Sequence, residues 1–247
     1  MELEQQRVVV TGGASGMGRA CVTLLRARGA EVMVWDVHAD RQDPNSVVCD
    51  VRSDEAVRAA LAETIQRIGL PRVCIQCAGI APAARMVGKH GAMPLDAFKN
   101  VLDVNLVGTF NVMRLFAEAI IQAPEALDGE EQGVIINTAS IAAYEGQIGQ
   151  TAYSASKGGM VALTLPAGRE LAASGIRVNT IAPGLMATPL LLNMPEEVQR
   201  SLAESVPFPK RLGKPEEFAA LVAHIIENSL INGEVIRLDG ALRMPPG

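Results

Sequence analysis

Seven short runs are apolar almost without interruption: RVVVT (7–11), EVMVW (31–35), SVVCD (46–50), RVCIQCA (72–78), GVIINTA (133–139), IRVNTIA (176–182) and EVIRL (234–238). A strand with one face in water alternates apolar and polar residues, whereas a strand covered on both faces does not. These runs therefore predict buried strands. Between them, segments 16–28, 53–68, 95–122, 152–173 and 215–228 repeat apolar residues at helical spacing. Strand and helix alternate, and right-handed crossovers then place helices on both faces of a parallel sheet. The fold expected is α/β, a doubly wound parallel sheet of about seven strands in a single domain spanning the chain.

Two segments depart from that rhythm. Residues 183–215 are apolar and rich in proline, which predicts an irregular, mobile lid over a ligand, its moving part at about 185–212. In NVLDVNLVGTFNVMRLFAEAII (100–121) the apolar surface exceeds the ~100° stripe that packing on one sheet needs. A second apolar face implies a second partner, and a homo-oligomer is expected. Pro166, inside the helix at 152–173, is expected to kink it.

Composition narrows the function. The chain has 247 residues, is 49% hydrophobic and 20% charged, and carries a formal net charge of −5. That balance argues against nucleic acid or an anionic membrane as partner, and favours small molecules or copies of the chain itself. The segment MELEQQRVVV is acidic and lacks the basic start and long apolar core of a signal peptide. No uninterrupted apolar run approaches ~20 residues, so no membrane span is expected and the location expected is cytoplasmic. Cys74 and Cys77 spell C-x-x-C, but on a strand residues three apart face opposite ways and sit ~10 Å apart, too far for a disulfide. With His38, His90 and His224 scattered, no metal site is expected.

The first strand runs directly into TGGASGMG (11–18), followed by a helix. A glycine-rich turn in that context brings backbone N–H groups and the positive end of a helix to a pyrophosphate, as in a Rossmann fold. Gly12, Gly16 and Gly18 set the spacing G-x-x-x-G-x-G. Asp36 ends the second strand, where a carboxylate accepts the adenosine ribose hydroxyls and repels a 2′-phosphate. No arginine stands at 15 or 37, although Arg41 is near, so NAD is expected in preference to NADP.

At the other end, Tyr153 precedes Lys157 by one helical turn in YSASK (153–157). The pair is either ordinary neighbours on a helix face or a phenol poised to exchange a proton. Bringing a phenol from ~10 to ~7 takes about 4 kcal/mol, which Lys157 and a positively charged nicotinamide ring together would supply. Ser140 closes the preceding strand, within reach of the same substrate oxygen.

The ordered set TGGASGMG, Asp36, CDV (49–51), CAG (77–79), Asn105, Ser140, YSASK and PG (183–184) resembles the classical short-chain dehydrogenases/reductases over essentially the whole chain. VLDVNLVGTFNV, IAPGL, VPFPKRLG and NGEVIRLDGALRM further resemble its NAD-dependent 3-hydroxyacyl-CoA dehydrogenase branch, also described as 17β-hydroxysteroid dehydrogenases. The chain departs from the wider family at QCAG (76–79), where two asparagines are usual. By resemblance, about 1–130 bind the dinucleotide and about 131–247 carry catalysis and substrate. Ser15, Gly16 and Met17 would wrap the pyrophosphate, Asp50 and Val51 flank the adenine, and Cys77, Ala78, Gly79, Pro183, Gly184 and Thr188 complete the NAD site. Lys157 would also hold the nicotinamide ribose, Asn105 stabilise a helix bend and a relay water, and Gln147 orient the substrate. The assembly implied is a tetramer.

The substrate implied is an acyl-CoA thioester, oxidised from 3-hydroxyacyl to 3-oxoacyl or the reverse, with steroids and other secondary alcohols as side substrates. In the lid, Leu185, Met186, Leu190, Leu191 and Leu192 offer an acyl chain an apolar enclosure. Lys89, Lys99 and Lys210 are candidates for the CoA phosphates. An NADPH-dependent 3-oxoacyl carrier-protein reductase is the alternative enzyme, with Asp36 against it. An NAD-binding scaffold or sensor is the alternative outside catalysis.

Overall fold

The computed structural model describes residues 1–38, 40, 42–123 and 131–246. Its first half runs β1 (Arg7–Thr11), α1 (Gly16–Ala27), β2 (Glu31–Asp36), β3 (Ser46–Val48), α2 (Asp54–Ile68) and β4 (Val73–Gln76). A small hairpin, β5 (Val87–Gly88) and β6 (Gly91–Ala92), leads to α3 (Leu95–Leu102), a π-helical turn (Asp103–Val107) and α4 (Gly108–Ile121). Then follow β7 (Gly133–Thr138), a 3₁₀ turn (Ile141–Ala143), α5 (Thr151–Ala172) and β8 (Ile176–Pro183). The remainder is α6 (Pro189–Leu192), α7 (Glu196–Ser205), α8 (Pro215–Glu227) and β9 (Val235–Leu238).

Seven strands form one parallel sheet in the order β3-β2-β1-β4-β7-β8-β9, as the run of buried strands predicts. Val8 and Val10 pack with Cys21 and Leu25 of α1 and Phe218 and Val222 of α8, while Val9 between them packs with Leu61 of α2 and Val112 and Phe116 of α4. Both faces of each central strand are thus covered, and alternation is absent from the sequence for that reason. The order of strands reverses between β1 and β4, which opens a crevice at the carboxyl ends of these two strands.

Four points add to the sequence reading or correct it. The lid is not irregular throughout, because α6 and α7 lie within it. The β5–β6 hairpin is unforeseen, its strands being too short to print a pattern. Pro166 lies inside α5, and the helix continues through it to Ala172. The continuous helical stretch Leu95–Ile121 has the length and mean hydropathy of a membrane span, 27 residues at 1.3, although charges interrupt its apolar runs. More than half of that apolar stretch is buried inside the protein. Val107, Phe110 and Ile121 stay about half exposed on its outer side, and Leu165 of α5 likewise.

Candidate active site

The glycine turn is shaped by contact as much as by conformation. Gly12 has φ +65°, and a Cβ there would sit 2.6 Å from the Ala78 nitrogen; one on Gly18 would sit 2.3 Å from the Gly12 carbonyl. Only glycine fits either place. Ser15 precedes α1 in extended conformation and its side chain does not cap the helix, so first-turn N–H groups are left for a ligand. They border a cavity of about 490 Å³ at the β1/β4 crevice.

That cavity is lined by Gly12, Ser15, Gly16, Met17, Gly18, Asp36, Asp50, Val51, Cys77, Ala78, Gly79 and Thr188, all singled out from the sequence. Asp36 is fixed by the N–H groups of Ala14 (3.2 Å) and His38 (3.0 Å), which aim its carboxylate back at the glycine turn. Asp50 accepts from Arg52 at 2.6 Å, and this guanidinium holds its carboxyl below the usual range. Trp35, Val37, Arg52, Ile80, Asn100, Val104 and Pro189 also line the cavity and were not anticipated. Several adjoin motif residues, and that adjacency was the available signal. A close-approach cradle, an uncapped helix start and a carboxylate beside them suit a dinucleotide.

Pro183 and Gly184 lie outside this cavity's lining. Pro183 ends β8, and a Cβ on Gly184 would meet the Asp239 Cα at 2.9 Å, so this glycine accommodates the C-terminal segment. Arg41 and the side chain of Leu190 lie outside the described residues.

At the ends of β4 and β7 the reacting side chains converge. Ser140 accepts the Ala142 N–H at 3.1 Å, and its hydroxyl acts on the Tyr153 phenol. Burial pushes Tyr153 above its ordinary value, with the Ser140 hydroxyl pulling the other way. Lys157 is 4% exposed; its Nζ donates to the Thr138 carbonyl at 2.6 Å and approaches Met160 Sδ at 3.6 Å. Burial lowers its pKa to about 8. Nζ lies 5.7 Å from the centre of the Tyr153 ring. The expectation assigns the priming of the phenol to Lys157 together with a nicotinamide ring, and burial weakens the lysine's share.

Asn105, fully buried in the π-helical turn, ties two elements together. Its Oδ1 accepts from the Ile80 N–H at 2.8 Å, and its Nδ2 donates to the Ile80 carbonyl at 2.9 Å and to Ser156 Oγ at 3.0 Å. The segment after β4 is thereby held against α5. Within QCAG, Gln76 donates to Asn137 of the neighbouring strand at 3.0 Å. Cys74 and Cys77 do face opposite layers; the thiol that meets Cys77 is that of Cys21. This contact lowers Cys77 and raises Cys21.

The substrate side is less closely assembled. Gln147 donates its amide to the Pro245 carbonyl at 3.2 Å, not to Ser140 or Tyr153. Leu185 packs with Ile141, Val206, Leu242 and Met244, and Leu192 is half exposed. Lys89, Lys99 and Lys210 are all exposed, and Lys99 is paired with Asp96 at 3.6 Å.

Residues 12–242 match the family model described as Enoyl-(Acyl carrier protein) reductase. A protein of Homo sapiens called 3-hydroxyacyl-CoA dehydrogenase type-2 is 52% identical, the match covering 96% of this chain and 95% of that one. The crystal structure of a 3-hydroxyacyl-CoA dehydrogenase type-2 from Mycobacterium avium superposes with a TM-score of 0.90 at 41% identity, over 100% of both chains. A 3-oxoacyl-[acyl-carrier-protein] reductase of Thermotoga maritima is 32% identical over 98% of this chain and 99% of that one.

Proposed function

The chain belongs to the short-chain dehydrogenase/reductase family of oxidoreductases, and we propose that it interconverts 3-hydroxyacyl-CoA and 3-oxoacyl-CoA with NAD(H). The observation that carries this reading is the convergence of Ser140, Tyr153 and Lys157 beside a cavity bordered by Asp36 and the glycine turn. Asp36 supports NAD over NADP, since a second negative charge on the ribose would face its carboxylate. The 52% identity to a 3-hydroxyacyl-CoA dehydrogenase, against 32% to a carrier-protein reductase, supports the thioester of CoA.

Gly12, Gly16 and Gly18 would hold the pyrophosphate and Asp36 the adenosine ribose. A nicotinamide bound there would supply the acceptor or donor for the substrate's hydride. Ser140 donates a hydrogen bond to the substrate oxygen, and Tyr153 takes the hydroxyl proton in oxidation and gives it back in reduction. Lys157, anchored on the Thr138 carbonyl, holds positive charge near that proton and suits the nicotinamide ribose. Asn105 keeps the cavity wall and α5 in register. The exposed apolar Val107, Phe110 and Leu165 support assembly with further copies, a tetramer in this reading.

The test is kcat/KM for acetoacetyl-CoA with NADH beside the same acyl group on carrier protein with NADPH, because that ratio reports differential transition-state binding. The first pair is expected to win. A preference of about tenfold for the second pair would move the chain to the carrier-protein branch.

A further inference from the structure

We infer that Arg237 is a positioning residue for the substrate side of the site, acting through the loop that joins Ser140 to Tyr153. The inference rests on the oxidoreductase reading, since that loop matters because its two ends carry the reacting hydroxyls. Arg237 lies in β9, the edge strand, and its guanidinium reaches into the loop. Its two terminal nitrogens donate to the carboxylate of Glu145 at 2.7 and 2.8 Å. Nε donates to Asp239 at 2.7 Å, and Nη2 also to the Leu242 carbonyl at 3.1 Å. The same group sits over the Tyr144 ring, 5.0 Å from its centre.

A planar fork engaged on every side fixes what it grips, which a lysine ammonium does not. Glu145 is held below the usual carboxylate range by Arg237, so the pair stays charged. Farther along the loop, Gln147 donates to the Pro245 carbonyl at 3.2 Å and Ile148 N–H to the Pro246 carbonyl at 2.8 Å. Leu242 and Met244 from the same tail pack with Ile141 and with Leu185 and Val206 of the lid region. Arg237 thus gathers tail and loop into one body beside Ser140. Asp36 and the glycine turn stand on strands at the other side of the sheet. Loosening Arg237 therefore disturbs substrate alignment and spares cofactor binding, a split that a purely structural role would not produce.

The experiment compares Arg237→Met, Arg237→Lys and Glu145→Gln with the wild-type full chain, well below each Tm. The readouts are NADH Kd by fluorescence titration and steady-state kinetics with acetoacetyl-CoA. For Arg237→Met and Glu145→Gln, kcat/KM for acetoacetyl-CoA is expected to fall by about tenfold while NADH Kd stays within about twofold. Arg237→Lys restores only part of the loss. Arg58→Met, which breaks exposed pairs with Asp54 and Glu118, is the control for general charge loss. Unchanged kcat/KM in Glu145→Gln, or an equal loss of NADH affinity, overturns the inference even if Arg237→Met fails to fold. Should the wild type not turn over acetoacetyl-CoA, the substrate reading fails, and the split is read with a simple 3-oxo ester instead.

Discussion

The ammonium of Lys157 donates to the Thr138 carbonyl at 2.6 Å and stands 5.7 Å from the centre of the Tyr153 ring. The lysine is anchored on the end of β7, so its charge acts on the phenol through space. Burial opposes ionisation of both groups: Tyr153 is pushed up, while Lys157, lowered to about 8, still keeps most of its charge at neutral pH. On the proposed reading, the cationic ring of NAD adds to the lysine's charge in lowering the phenol.

Tyr153 should titrate above its ordinary value in the cofactor-free protein and move down when NAD is added. In Tyr144→Phe the chain keeps Tyr153 as its one tyrosine, so near-ultraviolet difference absorbance reads it alone. Equal titration with and without NAD would remove the cofactor from the priming of the phenol. Tyr153→Phe should in turn keep NADH affinity and lose about a hundredfold or more in turnover.

Lys157 gives stability a slope of known sign. Its folded pKa of about 8 lies below the ordinary 10.5, so the fold disfavours its charged form. The cost is fully present below the folded value and disappears as pH rises through 10.5. From pH 8 to 10.5 this group alone makes the cofactor-free protein more stable. Lys157→Met should flatten that part of the curve, read as the difference in Tm between variant and wild type at each pH. An unchanged difference across the window would mean that the lysine is not desolvated.

Gly18→Ala places a methyl group where the Gly12 carbonyl now lies, and backbone cannot step aside as a flexible side chain does. NADH affinity should fall by about tenfold or more, accompanied by a lower Tm. Calorimetric titration beside a melting curve checks both. Intact affinity would mean that the turn has room the geometry denies.

Asp36→Ala removes the repelling charge and the acceptor for the Ala14 and His38 N–H groups together. NADH should bind more weakly, and the NADPH-to-NADH ratio of kcat/KM should rise by about tenfold. A wild type that already prefers NADPH would contradict the role given to Asp36.

The sheet, the glycine turn and the Tyr153/Lys157 spacing were legible along the chain because each is local or periodic. Continuous apolar runs report strands covered on both faces, and a strand, glycine turn and helix in succession leave few backbone paths. Even there, α6 and the β5–β6 hairpin escaped notice, being too short for a period to register, and α7 was passed over inside a proline-rich apolar stretch read as irregular. What only tertiary structure decided were meetings between distant residues: Cys77 with Cys21 instead of Cys74, Asn105 with Ile80 and Ser156, and Arg237 with Glu145 across 92 positions. Such contacts follow from strand order and from the depth at which each helix crosses the sheet. Neither leaves a mark in local sequence, because the chain positions that meet are set by the packing of elements and not by their spacing.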